Sequence, residues 1–249
     1  MSSETKTIGI IVLITIIVVI GGIVLAGRNS STGALSDQVT VKQDLLTKPD
    51  EFRVTGKDAT STGGIQIVEF GDFECPSCAA LHPALKQLLQ VEGDKIDFVF
   101  RVVPIHQYSR EAAAAALAAR DQGQFLAMND ILFEKQDEWG AEGAGDPEHF
   151  FEEYAKDIGL DVTKFKADIA NNAAAYNAFV DKDAADATAM NINATPTVII
   201  NGKQVVVGAV SYDQLYALVN ASTSAATAQV SSGNSSTAGS GQATSSVSK

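Results

Sequence analysis

An apolar, β-rich run, Ile65-Gln66-Ile67-Val68-Glu69-Phe70-Gly71, leads almost at once into Cys75-Pro76-Ser77-Cys78, and residues 77–91 then carry Leu81, Leu85, Leu88 and Leu89 at helical spacing. The switch from strand character to helical period places the cysteine pair at a strand-to-helix turn and makes the surrounding domain α/β. These are the only two cysteines in the chain. A disulfide across so short a loop restrains the unfolded chain little, because crosslink stabilisation grows with the length of loop that is closed. The pair therefore reads as chemistry and not as scaffolding. Pro76 suits the first helical position, where its missing N–H costs nothing, which puts Cys75 at the N-cap with its sulfur facing the free N–H groups of Ser77 and Cys78. A thiolate there is stabilised by those donors and by the positive end of the helix dipole.

The two ends of the chain bound this domain. Residues 8–26 are apolar apart from Gly9, Thr15, Gly21 and Gly22, and at ~1.5 Å per residue the run is long enough to cross a ~30 Å hydrocarbon core. It reads as one N-terminal transmembrane helix, with 1–7 as a short cytoplasmic N-terminus and the remainder exported. The alternative is a signal peptide cleaved near Val24-Leu25-Ala26, for which the apolar run is long. An oxidising compartment beyond the membrane agrees with redox use of a CxxC pair. Residues 27–63 are mixed and polar, with a short helix expected around 39–46, and read as an extracytoplasmic stalk. Residues 221–249 are mostly Ser, Thr, Ala, Gly and Gln and read as a disordered tail. That leaves one domain, 64–220, of ordinary length. The net charge of −12 stays with the exported part, since Glu4 and Lys6 cancel, and it argues against nucleic acid as a partner.

Within the domain, 96–103 alternates and is β-branched, a second strand ended by Pro104. Helices are expected at 110–121, 125–139, 147–158, 161–169 and 173–190, a helical block spanning about 105–190. Thr197-Val198-Ile199-Ile200, Asn201-Gly202 and then 203–207 read as a hairpin around an Asn-Gly turn, and a last helix covers 212–220. Pro83 is expected to kink the cysteine helix.

Five segments stand in this order: Val68-Glu69-Phe70-Gly71-Asp72-Phe73-Glu74-Cys75-Pro76-Ser77-Cys78, Phe100-Arg101-Val102-Val103-Pro104, Gln122-Gly123-Gln124-Phe125 with Leu132-Phe133, Ile158-Gly159-Leu160-Asp161, and Ala194-Thr195-Pro196-Thr197. With them, 65–218 resembles the DsbA family of extracytoplasmic thiol:disulfide oxidoreductases, particularly its membrane-tethered Gram-positive-like branch. The resemblance implies a thioredoxin fold with a helical insertion, preceded here by the transmembrane helix. It implies that a substrate thiolate attacks Cys75 and that Cys78 resolves the mixed disulfide. It makes Glu69 a buried acid beneath the pair, with a raised pKa and a proton to exchange with Cys78. Thr195-Pro196 becomes the cis-proline loop that meets substrate together with Pro76 and Ser77. No cofactor is implied beyond the Cys75–Cys78 disulfide. The implied partners are unfolded or partly folded exported proteins with cysteines and a quinone-linked membrane reoxidase, and the protein is expected to be a monomer at the cell membrane with its catalytic domain outside. Ser77 stands where Gram-negative oxidases carry a histidine, and Asp72 and Glu74 add negative charge that works against a Cys75 thiolate.

Other readings stay open at this level. Val68 and Phe70 point away from Glu69, and alternation does not say which face of the strand is covered. Beside an oxidase stand a disulfide reductase or isomerase, although a dimeric isomerase needs an N-terminal dimerisation domain for which 27–63 is short and polar. A different class is a surface-tethered metal-binding or metallochaperone module, with zinc held by Cys75, Cys78, His82 and one of His106 or His149. No metal is expected, so the three histidines read as surface or capping residues. Trp139, Phe125, Phe133, Phe150 and Phe151 read as core of the insertion.

Overall fold

The computed structural model describes residues 34–35, 39–46, 64–140 and 145–233, all within the unit Ala34–Lys249. The expected cytoplasmic N-terminus at 1–7 and membrane span at 8–26 lie outside the described residues, and among the described residues no helix is long and apolar enough to cross a membrane. Five strands form one mixed sheet, β1 (Ala34–Leu35), β2 (Ile65–Gly71), β3 (Ile96–Val102), β4 (Thr197–Ile200) and β5 (Gln204–Val207), in the order β1-β5-β4-β2-β3. β2 runs parallel to β3 and antiparallel to β4, and β5 is antiparallel to both β4 and β1. The helices are α1 (Gln43–Leu46), α2 (Pro76–Glu92), α3 (Ser109–Arg120), α4 (Phe125–Glu134), α5 (Gln136–Trp139), α6 (Glu148–Asp157), α7 (Val162–Ala189) and α8 (Tyr212–Gly233). This is the mixed α/β thioredoxin-like arrangement, with α3 to α7 inserted between β3 and β4.

β2 is bonded on both sides and covered on both faces, so its period-two pattern distributes residues between two cores. Ile65 and Ile67 pack with Leu81, Leu85 and Leu88 of α2 and with Phe98 and Phe100 of β3. Val68 and Phe70 pack on the other side with Val99, Ile199, Leu46, Ala187 and Met190. Glu69 shares the parity of Ile67 and so belongs to the face under α2, which answers the question alternation left open. Gly71 is needed there, since a Cβ at that position would stand 2.7 Å from Cε2 of Phe100.

Four expectations change. Part of the segment read as a stalk joins the domain: β1 pairs Ala34 with Val207 and Leu35 with Val206, Leu46 is fully buried, and Gln43 donates from Nε2 to the Gly202 carbonyl at 2.8 Å. The helices expected at 161–169 and 173–190 are one, α7, because Asn171-Asn172 carries no proline or glycine to break it. Its start is capped by Asp161, whose Oδ1 accepts from the Lys164 N–H at 3.0 Å. The stretch 125–139 divides at Lys135, where the Trp139 indole N–H takes the Leu132 carbonyl at 2.9 Å, one of the acceptors a helix end leaves free. The last helix continues beyond 220 to Gly233, into the segment read as a tail. The Asn201-Gly202 turn stands as expected, both residues at positive φ (49° and 63°) with Lys203 N–H donating to the Ile200 carbonyl at 3.1 Å, a type I′-like turn that opens the loop between the paired Ile200 and Gln204.

Candidate active site

Cys75 caps α2 from extended backbone (φ −77°, ψ 120°), with Pro76 next in the chain. Its carbonyl starts the helix by accepting from Cys78 N–H at 3.0 Å and Ala79 N–H at 3.1 Å. Both thiols are free and buried. As a thiol, Cys75 donates to the Thr195 carbonyl at 3.5 Å, across a Thr195-Pro196 peptide that is cis. A hydrogen bond from the Cys78 thiol favours the Cys75 thiolate most; burial opposes it, while the Thr195 side chain and the N–H groups of Cys78 and Ser77 assist. The result is a thiol lowered from 9.0 to about 5. Burial pushes Cys78 the other way, far above its ordinary value, and the hydrogen bond to Cys75 and the charge of Glu69 add to that rise. One sulfur is poised as a nucleophile or leaving group, and the other holds its proton.

Glu69 is 3% exposed. It pairs in register with Phe100, whose ring belongs to an aromatic cluster with Phe73 at 4.9 Å and Phe133 at 6.1 Å between centroids. Burial in that apolar wall, followed by the charge of Cys75, raises its carboxyl from 4.5 to about 8. A carboxyl of that strength, beneath a thiol whose proton is hard to remove, is able to carry a proton on and off Cys78 near neutral pH.

The loop from Asp72 to Cys75 is held from several directions. Asp72 is fully buried. Its Oδ1 accepts from Glu74 N–H at 3.0 Å, and its Oδ2 accepts from Ile105 N–H at 2.8 Å, His106 N–H at 3.2 Å and the Ser109 hydroxyl at 2.8 Å. His106 Nδ1 lies 2.8 Å from the same Oδ2. The Asp72 backbone completes the link, its carbonyl accepting from Cys75 N–H at 3.1 Å and its N–H facing Cys78 Sγ at 3.5 Å. Glu74 Oε2 accepts from Tyr108 N–H at 2.5 Å. From the insertion, buried Gln136 donates through Nε2 to the carbonyls of Phe73 at 2.6 Å and Cys75 at 3.1 Å. Thus the acids that seemed only to oppose the thiolate also build its loop.

Of the residues singled out from sequence, Cys75, Cys78, Glu69 and Thr195 converge, with Pro196 buried beside them and Pro76 and Ser77 on the open side of the helix start. Asp72 as an organiser, Gln136 and His106 were missed. An Asx turn is legible in Asp72-Phe73-Glu74, since aspartate bonds backbone two residues on; nothing local marks Gln136. His82, expected at the surface or at a cap, is 6% exposed. Its Nε2 lies 3.2 Å from Asp130 Oδ1, and Lys86 Nζ lies 2.8 Å from Asp130 Oδ2 and 2.6 Å from Glu134 Oε1. Among the described residues, the group with metal-ligand spacing is His82, Asp130 and Glu134, and it includes neither cysteine. The Lys86 ammonium already bridges those two carboxylates.

A thioredoxin-like sheet that delivers a low-pKa cysteine to the head of the helix after an interior strand, with a second cysteine protonated one turn on, defines a thiol:disulfide oxidoreductase. The family described as thioredoxin matches residues 53–221, and the chain belongs to it. Solved structures agree. A thioredoxin-like oxidoreductase from Silicibacter pomeroyi is 27% identical with a TM-score of 0.59, covering 73% of this chain and 97% of that one. BdbD from Bacillus subtilis is 26% identical with a TM-score of 0.57, covering 68% and 91%. The thiol-disulfide exchange protein alpha-DsbA2 from Wolbachia pipientis, at 24% identity and a TM-score of 0.60, covers 71% and 89% and shares the fold. Na(+)/H(+) antiporter NhaA 3 of Salinispora tropica is 36% identical over 160 residues, 63% of this chain but 22% of the antiporter. The chain therefore spans about a fifth of the length of that curated relative.

Proposed function

We propose that this oxidoreductase is a membrane-tethered oxidase, held through 8–26, that introduces disulfides into exported proteins outside the cytoplasm. In each cycle a thiolate on an unfolded or partly folded substrate attacks Cys75 Sγ of the Cys75–Cys78 disulfide, and the S–S bond breaks with its electron pair going to Cys78. Glu69 delivers a proton to Cys78 as that sulfur leaves. A second substrate thiolate then attacks the substrate sulfur of the mixed disulfide and releases Cys75 as thiolate. Two electrons pass to the protein and one disulfide forms in the substrate. A quinone-linked membrane partner takes the electrons and restores Cys75–Cys78, so the protein itself requires no cofactor. Thr195, Pro196, Pro76 and Ser77 form the substrate-facing edge. The likeness to BdbD is one support for the Gram-positive-like branch.

The observation that carries the direction is the Cys75 thiol lowered to about 5. A stabilised thiolate belongs to the reduced form alone, so it favours reduction of the enzyme and oxidation of its partner. The test is the equilibrium of the Cys75–Cys78 pair against glutathione, with Cys75→Ser and Cys78→Ser run beside it on non-reducing gels. The oxidase reading expects a pair more oxidising than a typical thioredoxin, no exchange from Cys75→Ser, and trapped mixed disulfides from Cys78→Ser. A pair that glutathione leaves oxidised would make the protein a reductase, and equal trapping by both variants would overturn the assigned roles.

A further inference from the structure

His106 lies in the turn between β3 and α3 with its side chain 37% exposed, yet its imidazole is fastened to a carboxylate with no exposure at all. The Nδ1–Asp72 Oδ2 distance is 2.8 Å, and the His106 N–H donates to Ser109 Oγ at 2.9 Å, which in turn donates to Asp72 Oδ2. Asp72 is the residue whose backbone touches both cysteines. A continuous path therefore runs from imidazole to carboxylate to the loop that presents the sulfurs. With Nδ1 committed to Asp72, Nε2 is the nitrogen left to gain and lose a proton.

The charges that face His106 are Asp72 and Glu74 from the loop after β2 and Cys75 at the head of α2, and Glu111 of α3 bears on Glu74. All are acidic groups. When the imidazole is protonated it forms a neutral pair with Asp72, and its charge interacts favourably with a Cys75 thiolate; when it is not, that attraction is gone and Asp72 keeps its negative charge in the loop that carries Cys75. Burial pulls the imidazole down, but the hydrogen bond and charge of Asp72, with Cys75 and Glu74 behind it, hold it above its ordinary value.

We propose that His106 is a positioning residue of the dithiol, which pairs with the Asp72 carboxylate in the loop that carries Cys75 and so links the redox equilibrium of the pair to the protonation of an imidazole outside the CxxC turn. The proposal rests on dithiol–disulfide exchange at Cys75 and Cys78. Linkage makes it reciprocal. Reduction places a thiolate near His106 and raises the midpoint of the imidazole, whereas disulfide formation removes that charge and lowers it.

The experiment is an NMR titration of the His106 ring in the reduced and disulfide forms of the full chain, with the glutathione equilibrium measured on the same samples. The expected shift between the two forms is about half a pH unit, the size of a partly screened charge pair. His106→Asn, which keeps an N–H near the Nδ1 position and discards the charge, should raise the Cys75 thiolate midpoint by about half a unit and move the glutathione equilibrium about three-fold toward the disulfide. Its reduced form should lose more melting temperature than its disulfide form, since a weaker thiolate is a loss confined to the reduced state, whereas a residue that only propped the loop would lower both forms alike and leave the thiolate alone. A wild-type pair that does not exchange with glutathione overturns the functional reading and this inference with it. Exchange accompanied by a His106 midpoint that is the same in both redox forms overturns this inference alone.

Discussion

On the face of the sheet toward the end of α7, Arg101 of β3 is fully buried and its guanidinium is matched group by group. Nε lies 2.5 Å from Asp183 Oδ1, Nη2 2.6 Å from Asp186 Oδ2, Nη1 donates to the Leu45 carbonyl at 2.8 Å, and the Phe70 ring lies 5.4 Å away. On the opposite face, under α2, Glu69 of β2 is buried against Phe100, and its carboxyl rises to about 8. The same two strands thus bury charge in both directions. Where the charge is paired it becomes a fastening, joining β3 to α7 and to α1. Where burial dominates, it becomes a proton store next to a reactive sulfur. Desolvation is common to both faces, and the neighbouring groups decide whether it yields structure or chemistry.

The largest effect expected from breaking this contrast is on the paired face. Arg101→Met strands two carboxylates in the interior and should cost about 3–5 kcal/mol of stability, read from the urea midpoint. A loss below about 1 kcal/mol would mean the triad is not a fastening. On the other face the sign reverses. The folded Glu69 carboxyl keeps its proton between pH 4.5 and about 8, where the unfolded chain has released it, so stability falls as pH rises through that window. Glu69→Gln should therefore stabilise the protein by up to about 4 kcal/mol at pH 8, remove that decline, and slow exchange. A variant that loses stability at pH 8 would show that the acid is held by partners and not isolated by burial.

Cys75 gives the third test. Its folded pKa is depressed, so its contribution is complete above 9.0 and is lost as pH falls through about 5. Only the reduced protein has this contribution. The reduced form should gain on the disulfide form by about 2 kcal/mol between acid and neutral pH and melt about 5 °C higher at neutral pH; a disulfide form that melts higher removes the basis of the oxidase reading. The smallest effect belongs to neither face. Asp161→Ala removes the cap of α7 and should cost about 1 kcal/mol in both redox forms, and a redox-dependent cost would show that the insertion is coupled to the thiols.

The strand-to-helix junction was legible because its chemistry is local: proline in the first turn, a cysteine before it, and a change of hydrophobic period are all written within one stretch of chain. Thr195-Pro196 was legible through resemblance alone. Glu69 too was legible as a buried acid through resemblance and not through its own pattern, because only the partners of β2 reveal which face α2 covers. The residues that organise the loop were harder. Gln136 reaches Phe73 and Cys75 from a helix more than sixty positions away, and no spacing in the sequence encodes that meeting. Ala34-Leu35 is too short to stand out as a strand, and it becomes one only because β5 offers an open edge. The buried ion group of Arg101 was not read from the sequence, because its acids, Asp183 and Asp186, stand 82 and 85 positions further along the chain.

Cys75 meets Thr195 across 120 positions of chain. Synthesis runs from the N-terminus, so both cysteines and their helix emerge well before the loop that supplies the Thr195 contact. Contacts so distant in sequence form late, after the intervening helices have closed the gap. Until then Cys75 lacks one of the groups that lower its pKa, and it behaves more like an ordinary thiol. The Cys78 hydrogen bond and the N–H groups at the helix start are local and act as soon as α2 forms. The docking of β4 against β2 adds the Thr195 contribution, so the last increment of thiolate stabilisation comes with the finished sheet.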